Sequence, residues 1–334
     1  MTKTILLTGA SGYVGGHIIR EALARGYSVR AVVRTEASGT KTKAQFADAG
    51  LSYVVIPDIS TADAYEGKLD GVTAIIHTAS PFVLAPKDNV KDLLDPAVKG
   101  AVAVLEAAGR FGTSALKRVV FTSSFAAVGN FGAPDYQPGR VFTEADWNPA
   151  TWDEAAATTN GSFAYCASKA FAERAMWDWM KEHPSVAFDL VSLNPAWIFG
   201  PYVTDPAGIE QLGESSKAVY AVLGSDKVQD PDFCGCADVR DVADAHLAAL
   251  ETPAAGGRRF ILSHAFNWQR AADASREAVP ELRGRIPEGT PGSWPETYTV
   301  DGGRAVEVLG IRYRPLTETF GDAYRQLVRV EGLS

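Results

Sequence analysis

The amino-acid sequence predicts an α/β protein with a doubly wound parallel sheet and a smaller C-terminal lobe. Two observations lead to this fold class. Apolar strand-like runs alternate with helical segments as far as about residue 195, and a glycine-rich turn joins the first run to a helix. Such alternation is typical of a parallel sheet that is covered by helices on both faces. The strand-like runs are 3–8, 28–33, 52–56, 73–77, 117–122 and 186–193.

The first strand leads directly into three glycines, Gly9, Gly12 and Gly15, and then into a segment with helical spacing. A glycine turn between a strand and a helix is the context of a dinucleotide-binding fingerprint. The glycines allow the backbone to approach a pyrophosphate, and the helix N-terminus offers it free N–H groups. The spacing is Gly-x-x-Gly-x-x-Gly rather than Gly-x-Gly-x-x-Gly, and a plain strand–turn–helix connection is the alternative.

The second strand ends at Arg34, where an NAD-binding unit usually places an acidic residue. A guanidinium at this position suits the 2′-phosphate of NADP instead. The alternative is an ordinary surface arginine.

Two later segments carry groups that suit acid catalysis. The strand at 117–122 runs into Ser123 and Ser124, and ligands of doubly wound sheets bind at such strand ends. Tyr165 and Lys169 lie four apart in a stretch without Pro or Gly, which predicts a helix with both side chains on one face. We expect the cation to lower the phenol's ordinary pKa of about 10. A solvated Lys beside a half-buried Tyr is the alternative, because Tyr-x-x-x-Lys occurs by chance in many helices.

Composition excludes several classes of protein. The 334 residues are 46% hydrophobic and 22% charged, with a net charge of −8 and no long basic run, which argues against nucleic acid as a partner. No uninterrupted apolar stretch is long enough for a membrane span. Three cysteines and five scattered histidines predict reduced thiols and no metal site. The chain runs from Met1 almost directly into the first strand, so we expect a cytoplasmic protein without a signal peptide.

Taken together, these motifs resemble the short-chain dehydrogenase/reductase superfamily over nearly the whole chain. The resemblance is strongest to its extended branch of dihydroflavonol reductases, cinnamoyl-CoA reductases and yeast and fungal carbonyl (methylglyoxal) reductases. The matching segments are 8–15, 29–34, 77–81, 119–124, 165–169, 194–201 and 238–246.

The resemblance implies a Rossmann-type fold, NADP(H) as the cofactor and a role for each matching residue. Ser124 is the implied catalytic serine, Tyr165 the general acid, and Lys169 the residue that holds the nicotinamide ribose and tunes the tyrosine. The other implied cofactor contacts are Gly9, Gly12, Tyr13, Val14 and Gly15 at the pyrophosphate, Arg34 at the 2′-phosphate, Asp58 and Ile59 at the adenine, Thr78, Ala79 and Ser80 under the cofactor, and Pro195, Trp197 and Ile198 near the carboxamide.

Beyond Pro195 the alternation loosens and Pro and Gly become frequent. We predict that residues 1–195 with about 229–264 form the NADP-binding domain, and that 196–228 with about 265–334 form a substrate-binding lobe. The helix near 239–250 and the strand at 259–262 are expected to return to the main sheet. The substrate cleft between sheet and lobe is predicted to be lined by Phe82, Phe125, Val128, Trp197 and Tyr202, for each of which ordinary core packing is the alternative.

The implied activity is NADPH-dependent reduction of a ketone or aldehyde, with a small and apolar or aromatic carbonyl compound as substrate. Gly129 stands where plant dihydroflavonol reductases have Asn, which argues against a flavonoid. Two alternatives are a nucleotide-sugar epimerase or dehydratase, which Arg34 disfavours, and a non-catalytic NADP sensor, which the retained Ser124, Tyr165 and Lys169 disfavour. Monomer and homodimer both stay open.

Overall fold

The computed structural model describes residues 3–80, 86–129, 138–230, 234–294 and 297–332. Within them the strands are β1 (Thr4–Thr8), β2 (Ser28–Val33), β3 (Leu51–Val55), β4 (Val72–His77), β5 (Arg118–Thr122), β6 (Val141–Phe142), β7 (Asp189–Pro195), β8 (Trp197–Phe199), β9 (Gly235–Asp238), β10 (Arg259–Leu262), β11 (His264–Ala265) and β12 (Thr299–Val300). The α-helices are α1 (Tyr13–Ala24), α2 (Glu36–Phe46), α3 (Asp95–Phe111), α4 (Trp152–Ala157), α5 (Gly161–Glu182), α6 (Glu214–Tyr220), α7 (Val239–Glu251), α8 (Trp268–Ala278), α9 (Gly303–Leu309) and α10 (Leu316–Glu331).

The main sheet has the order β10-β7-β5-β4-β1-β2-β3, and every pair of neighbours is parallel. The chain winds outward in one direction through β1, β2 and β3 and in the other through β4, β5, β7 and β10. This order confirms the predicted doubly wound fold, and it places the switch point between β1 and β4, where ligands of such sheets bind. Each of the six predicted strand-like runs forms a strand of this sheet.

The two faces of the sheet bury separate cores, because alternate side chains of a strand point to opposite faces. Ile5 and Leu7 of β1 pack in a core that includes residues of α1 and α7. Leu6, between them, packs in the opposite core, to which α3 and α5 contribute. Burial on both faces explains why the strands are continuous apolar runs rather than alternating ones.

Smaller elements lie outside the main sheet. Strand β9 pairs with β8 and β11, and β12 pairs with β6. Aromatic side chains form a third core here, with Phe199, Phe266, Trp268 and Phe320 in mutual contact. Strand β10 joins the main sheet beside β7, as expected, and α7 packs against α1. The division into a cofactor domain and a substrate lobe stays a prediction.

No helix in the described part of the chain is long and apolar enough to cross a membrane. The three cysteine thiols are buried and form no disulfide bonds. Among the residues described, no group of three His, Cys, Asp or Glu side chains is arranged to hold a metal ion.

Candidate active site

A cavity of about 1910 Å³ opens along the carboxyl edge of the main sheet. Its lining residues follow β1, β2, β3, β4, β5 and β7 in turn, which is where the ligands of a doubly wound sheet bind. The volume exceeds the few hundred to about 1,000 Å³ of a pocket for one drug-sized molecule. The predicted site residues that line it are Gly9, Gly12, Tyr13, Val14, Gly15, Arg34, Asp58, Ile59, Thr78, Ala79, Ser80, Ser124, Tyr165, Lys169, Pro195, Trp197 and Ile198.

The glycine turn at one end of the cavity has no room for side chains. Gly9 has a φ of +69°, and a Cβ there would come within 2.9 Å of the Ala79 nitrogen. A Cβ on Gly15 would overlap the carbonyl oxygen of Gly9. Gly12 is the N-cap of α1 and offers no side-chain acceptor, so the first N–H groups of the helix stay available to a ligand. The turn therefore has the form of a pyrophosphate cradle.

Arg34 follows β2 directly and is exposed at the cavity wall, beside Ser38. No carboxylate among the described residues forms an ion pair with it. Thr35 caps α2 by accepting a hydrogen bond from the backbone of Ser38 at 3.2 Å. This cap fixes the turn after Arg34 and leaves its guanidinium free to meet an anion.

Ser124 and Tyr165 meet across the cavity. Ser124 caps a short 3₁₀ turn by accepting a hydrogen bond from Ala126 N at 3.1 Å, and its hydroxyl also bonds the Tyr165 side chain. Helix α5 carries Tyr165 and begins at Asn160, whose side chain accepts hydrogen bonds from two backbone N–H groups of the first turn. The Lys169 ammonium stands 5.7 Å from the centre of the Tyr165 ring.

Burial controls the charge states at this end of the cavity. It raises the pKa of Tyr165 above its ordinary value, and the hydrogen bond with Ser124 acts in the opposite direction. Burial also lowers the pKa of Lys169 to about 8. The expectation that Lys169 brings the tyrosine below its usual pKa is therefore wrong for this structure, in which desolvation is the largest effect. The phenol is protonated at neutral pH, as it is at its ordinary pKa of about 10, and burial makes it a weaker acid.

His77 lines the cavity but is unsuited to proton transfer at neutral pH. Burial, and secondarily the charge of Lys169, lower its pKa to about 3. Its Nδ1 lies 2.9 Å from the Thr8 hydroxyl, which ties the end of β4 to the end of β1. The neutral imidazole is thus part of the frame beneath the site.

The predicted substrate-pocket residues do not all line the cavity. Trp197 lines the cavity. Phe125 and Val128 are fully buried and pack in a cluster with Phe142 and Tyr298, so the structure places them in the core rather than in the wall. Tyr202 packs on Tyr13 and also lies behind the wall rather than in it. The position of Phe82 lies outside the described residues.

Sequence reasoning did not identify helix α6 as part of the cavity wall. Its contribution consists of Gly213, Glu214, Ser215, Ser216, Lys217, Ala218 and Ala221. The helix is short and follows a segment rich in Pro and Gly, so its pattern carried no signal. Tertiary contacts hold it in place: Gly213 N donates a 2.8 Å hydrogen bond to the Tyr202 hydroxyl, and Val219 is buried in the third core.

The fold and the site together define a dinucleotide-dependent oxidoreductase with a Ser–Tyr–Lys centre. Known proteins agree with this class. The sequence model of the NAD dependent epimerase/dehydratase family matches residues 5–263, and the chain belongs to that family. The expected resemblance to the extended short-chain dehydrogenases is thereby confirmed.

Two similar proteins, one of them with a solved structure, are related to the chain over almost its whole length. The NADPH-dependent methylglyoxal reductase of Saccharomyces cerevisiae is 36% identical, over 98% of this chain and 99% of its own. A cinnamoyl-CoA reductase of Medicago truncatula is 30% identical, over 97% and 95% respectively. The crystal structure of the yeast methylglyoxal/isovaleraldehyde reductase with NADPH superposes with a TM-score of 0.92 at 34% identity, covering 99% of this chain and 100% of that one.

Proposed function

We propose that the protein is an NADPH-dependent carbonyl reductase that converts ketones or aldehydes to alcohols. One observation carries the proposal. A single continuous cavity is lined by the glycine turn, by Arg34 and by the Ser124–Tyr165–Lys169 centre. Relatives that are named as NADPH-dependent reductases support it. Three cysteines without disulfide bonds fit the expected cytoplasmic location, and the oligomer is proposed to be a monomer or a homodimer.

The residues of the cavity hold NADPH along its length. The N-terminus of α1 binds the pyrophosphate, Arg34 binds the 2′-phosphate and Lys169 binds the nicotinamide ribose. Trp197 and Ile198, which line the same cavity, would lie near the carboxamide of the bound cofactor. NADPH supplies the hydride for the carbonyl carbon.

The chain's own groups handle the carbonyl oxygen. The Ser124 hydroxyl donates a hydrogen bond to that oxygen and directs it toward Tyr165. The phenol of Tyr165, which is protonated at neutral pH, gives its proton to the oxygen as negative charge develops there. Partial burial of the centre excludes water and strengthens these interactions.

The substrate is proposed to lie along the wall that includes Trp197 and helix α6. Trp197 and Ala218 pack against one apolar cluster, and together with Ala221 they give this part of the cavity an apolar surface. Gly129 is buried against the rings of Phe125 and Phe142 and offers nothing to a flavonoid. We propose apolar or aromatic ketones and aldehydes as the substrate class.

The proposal is tested by following NADPH oxidation with a panel of ketones, aldehydes and keto-esters. Turnover is expected in the wild-type protein. Tyr165→Phe is expected to lower kcat by about 10²–10⁴-fold, the usual contribution of general acid catalysis, with NADPH binding retained. Near-full turnover of the variant removes Tyr165 from the mechanism, and binding of NADPH without turnover of any carbonyl favours the epimerase or sensor alternatives.

Cofactor choice is tested in the same assay with NADH. Arg34→Ala is expected to weaken NADPH binding and leave NADH binding unchanged, since only NADPH has the 2′-phosphate. Arg30→Ala is the matched control on the same strand, because the Arg30 guanidinium turns away and donates to Lys68 O at 2.6 Å and Asp70 O at 2.9 Å. Equal effects of the two substitutions would contradict the role of Arg34.

A further inference from the structure

A fully buried carboxylate lies directly behind the catalytic centre. Glu173 has no exposed surface. It accepts hydrogen bonds of 2.6 Å each from Ser123 Oγ, Asn194 Nδ2 and Arg259 Nε. A fourth, from Trp177 Nε1, measures 3.2 Å. Ser123 follows β5, Asn194 lies in β7 and Arg259 lies in β10, so the carboxylate is hydrogen-bonded at three neighbouring strands of the main sheet.

The same contacts lead from Glu173 to Ser124 in two hydrogen bonds. Asn194 Nδ2, which donates to Glu173, also donates to the backbone carbonyl of Ser124 at 3.1 Å. The preceding residue, Ser123, binds Glu173 through its hydroxyl. Both sides of the Ser124 backbone are thus anchored to one carboxylate.

Helix α5 connects Glu173 to the other two members of the centre. Tyr165, Lys169 and Glu173 follow one another at intervals of four, so they share one face of the helix. Because Glu173 is hydrogen-bonded to the strands, this face of α5 is fixed against the end of β5, which Ser124 follows. The distance between Ser124 and Tyr165 depends on that relative position.

Arg259, the counter-ion of Glu173, is itself fixed by further contacts. Arg259 donates to the carbonyl oxygens of Glu144 and Asp146 at 2.8 Å each, and its guanidinium stacks 3.7 Å from the ring centre of Trp147. A buried ion pair is often no more stabilising than apolar residues of the same volume, but it holds its groups in one geometry. Specific positioning is therefore the better account of this cluster than stability.

We propose that Glu173 is a positioning residue for the reduction: through Asn194 and Ser123 it sets Ser124 against the Tyr165–Lys169 face of α5. This inference rests on the proposed catalytic roles of Ser124 and Tyr165. Glu173 itself touches neither substrate nor cofactor.

The test is a double-mutant cycle of Glu173→Gln and Ser124→Ala, with kcat and the NADPH dissociation constant measured for each variant. Glu173→Gln is expected to lower kcat by about 10- to 100-fold, the scale of a displacement of about 1 Å in a catalytic group. The NADPH dissociation constant should stay near the wild-type value, since the glycine turn and Arg34 lie elsewhere. In the Ser124→Ala background the same substitution should change kcat little, because the positioned hydroxyl is already gone.

Milder variants keep the test decisive if Glu173→Gln does not fold. Ser123→Ala and Trp177→Phe each remove one donor from the carboxylate and keep the ion pair with Arg259. Ser123 lies beside Ser124 and Trp177 lies on the opposite side of the carboxylate. Ser123→Ala should lower kcat in the wild-type background and much less in the Ser124→Ala background, while Trp177→Phe should leave kcat unchanged.

The outcomes separate the inference from the proposed function. Suppose that Ser124→Ala lowers kcat, and that Glu173→Gln or Ser123→Ala lowers kcat by the same factor in the Ser124→Ala background as in the wild type. The proposed function then stands, and the positioning role is overturned. If Ser124→Ala keeps wild-type kcat, the catalytic assignment itself fails, and the positioning role fails with it.

Discussion

At the scale of single residues, burial is the largest influence on the pKa values of Tyr165 and Lys169 in the proposed catalytic centre. It keeps the Tyr165 phenol protonated and brings the pKa of Lys169 to about 8. The two shifts act on different steps. The first keeps the phenol protonated but makes it a weaker acid, and the second makes the charge of Lys169 dependent on pH in a range that can be measured.

NADPH affinity is predicted to fall as the pH rises through about 8, the pKa of Lys169. The ammonium is charged below this pH and neutral above it, and the neutral amine is the weaker partner for an anionic cofactor and its ribose. Fluorescence titration of NADPH at neutral and alkaline pH measures the effect on the free enzyme. In Lys169→Met the affinity should be lower and independent of pH in this range, and an unchanged inflection there would assign the titration to another group.

Alcohol oxidation by the same enzyme requires the tyrosine to accept a proton. Because its pKa is raised, we expect this direction to accelerate as the pH rises.

Sequence alone predicted the pairing of Tyr165 with Lys169 but not these pKa shifts. The i, i+4 spacing is local, whereas desolvation depends on side chains that the rest of the fold brings around the centre.

At the scale of elements, the glycine turn and α1 show which glycine the site needs. Gly15 and Gly16 are neighbours in α1 and both are buried. A Cβ on Gly15 would overlap the backbone of Gly9, which cannot move without opening the turn. A Cβ on Gly16 would lie 3.6 Å from the Val203 side chain, an ordinary contact.

Gly15→Ala is therefore predicted to weaken NADPH binding by more than about tenfold, because a shift in the turn misdirects its N–H groups. Gly16→Ala is the matched control and should bind NADPH normally. Its thermal stability should equal or exceed that of the wild type, since Ala is favoured over Gly in a helix by up to about 1 kcal/mol. Isothermal titration and thermal melts measure both. Similar NADPH affinities in the two variants would contradict the assignment of the glycine turn as the pyrophosphate-binding site.

The elements also show where sequence reasoning succeeds. Most strands of the main sheet were predictable because they are apolar runs buried on both faces, and Gly161–Glu182 because polar residues precede it and no Gly or Pro follows Gly161 within it. The wall from α6 was not predictable, since its place depends on tertiary contacts such as the packing of Val219 in the third core and the hydrogen bond between Gly213 and Tyr202. Phe125, predicted to line the cleft, is instead directed into the core by the 3₁₀ turn that follows Ser124.

At the scale of the whole molecule, the glycine turn and the α6 wall of the cavity are joined by direct contacts. The Tyr13 hydroxyl donates to Gly200 O at 2.6 Å, and its ring lies 4.6 Å from that of Tyr202. The Tyr202 hydroxyl in turn accepts from Gly213 N, at the start of α6. One line of contacts thus runs from the glycine turn to the wall that faces the substrate.

Tyr202→Phe removes the acceptor for Gly213 N and keeps the ring against Tyr13. We predict that KM for the carbonyl substrate rises about 2- to 10-fold, equivalent to the ~0.5–1.5 kcal/mol of one hydrogen bond, while the NADPH dissociation constant stays constant. Tyr220→Phe is the control within α6, because the Tyr220 hydroxyl bonds Glu331 at 2.9 Å and the side chain does not line the cavity. Steady-state kinetics with a saturating cofactor distinguish the two. If KM is the same in both variants, α6 holds its place without Tyr202, and the contact behind the wall has no part in substrate binding.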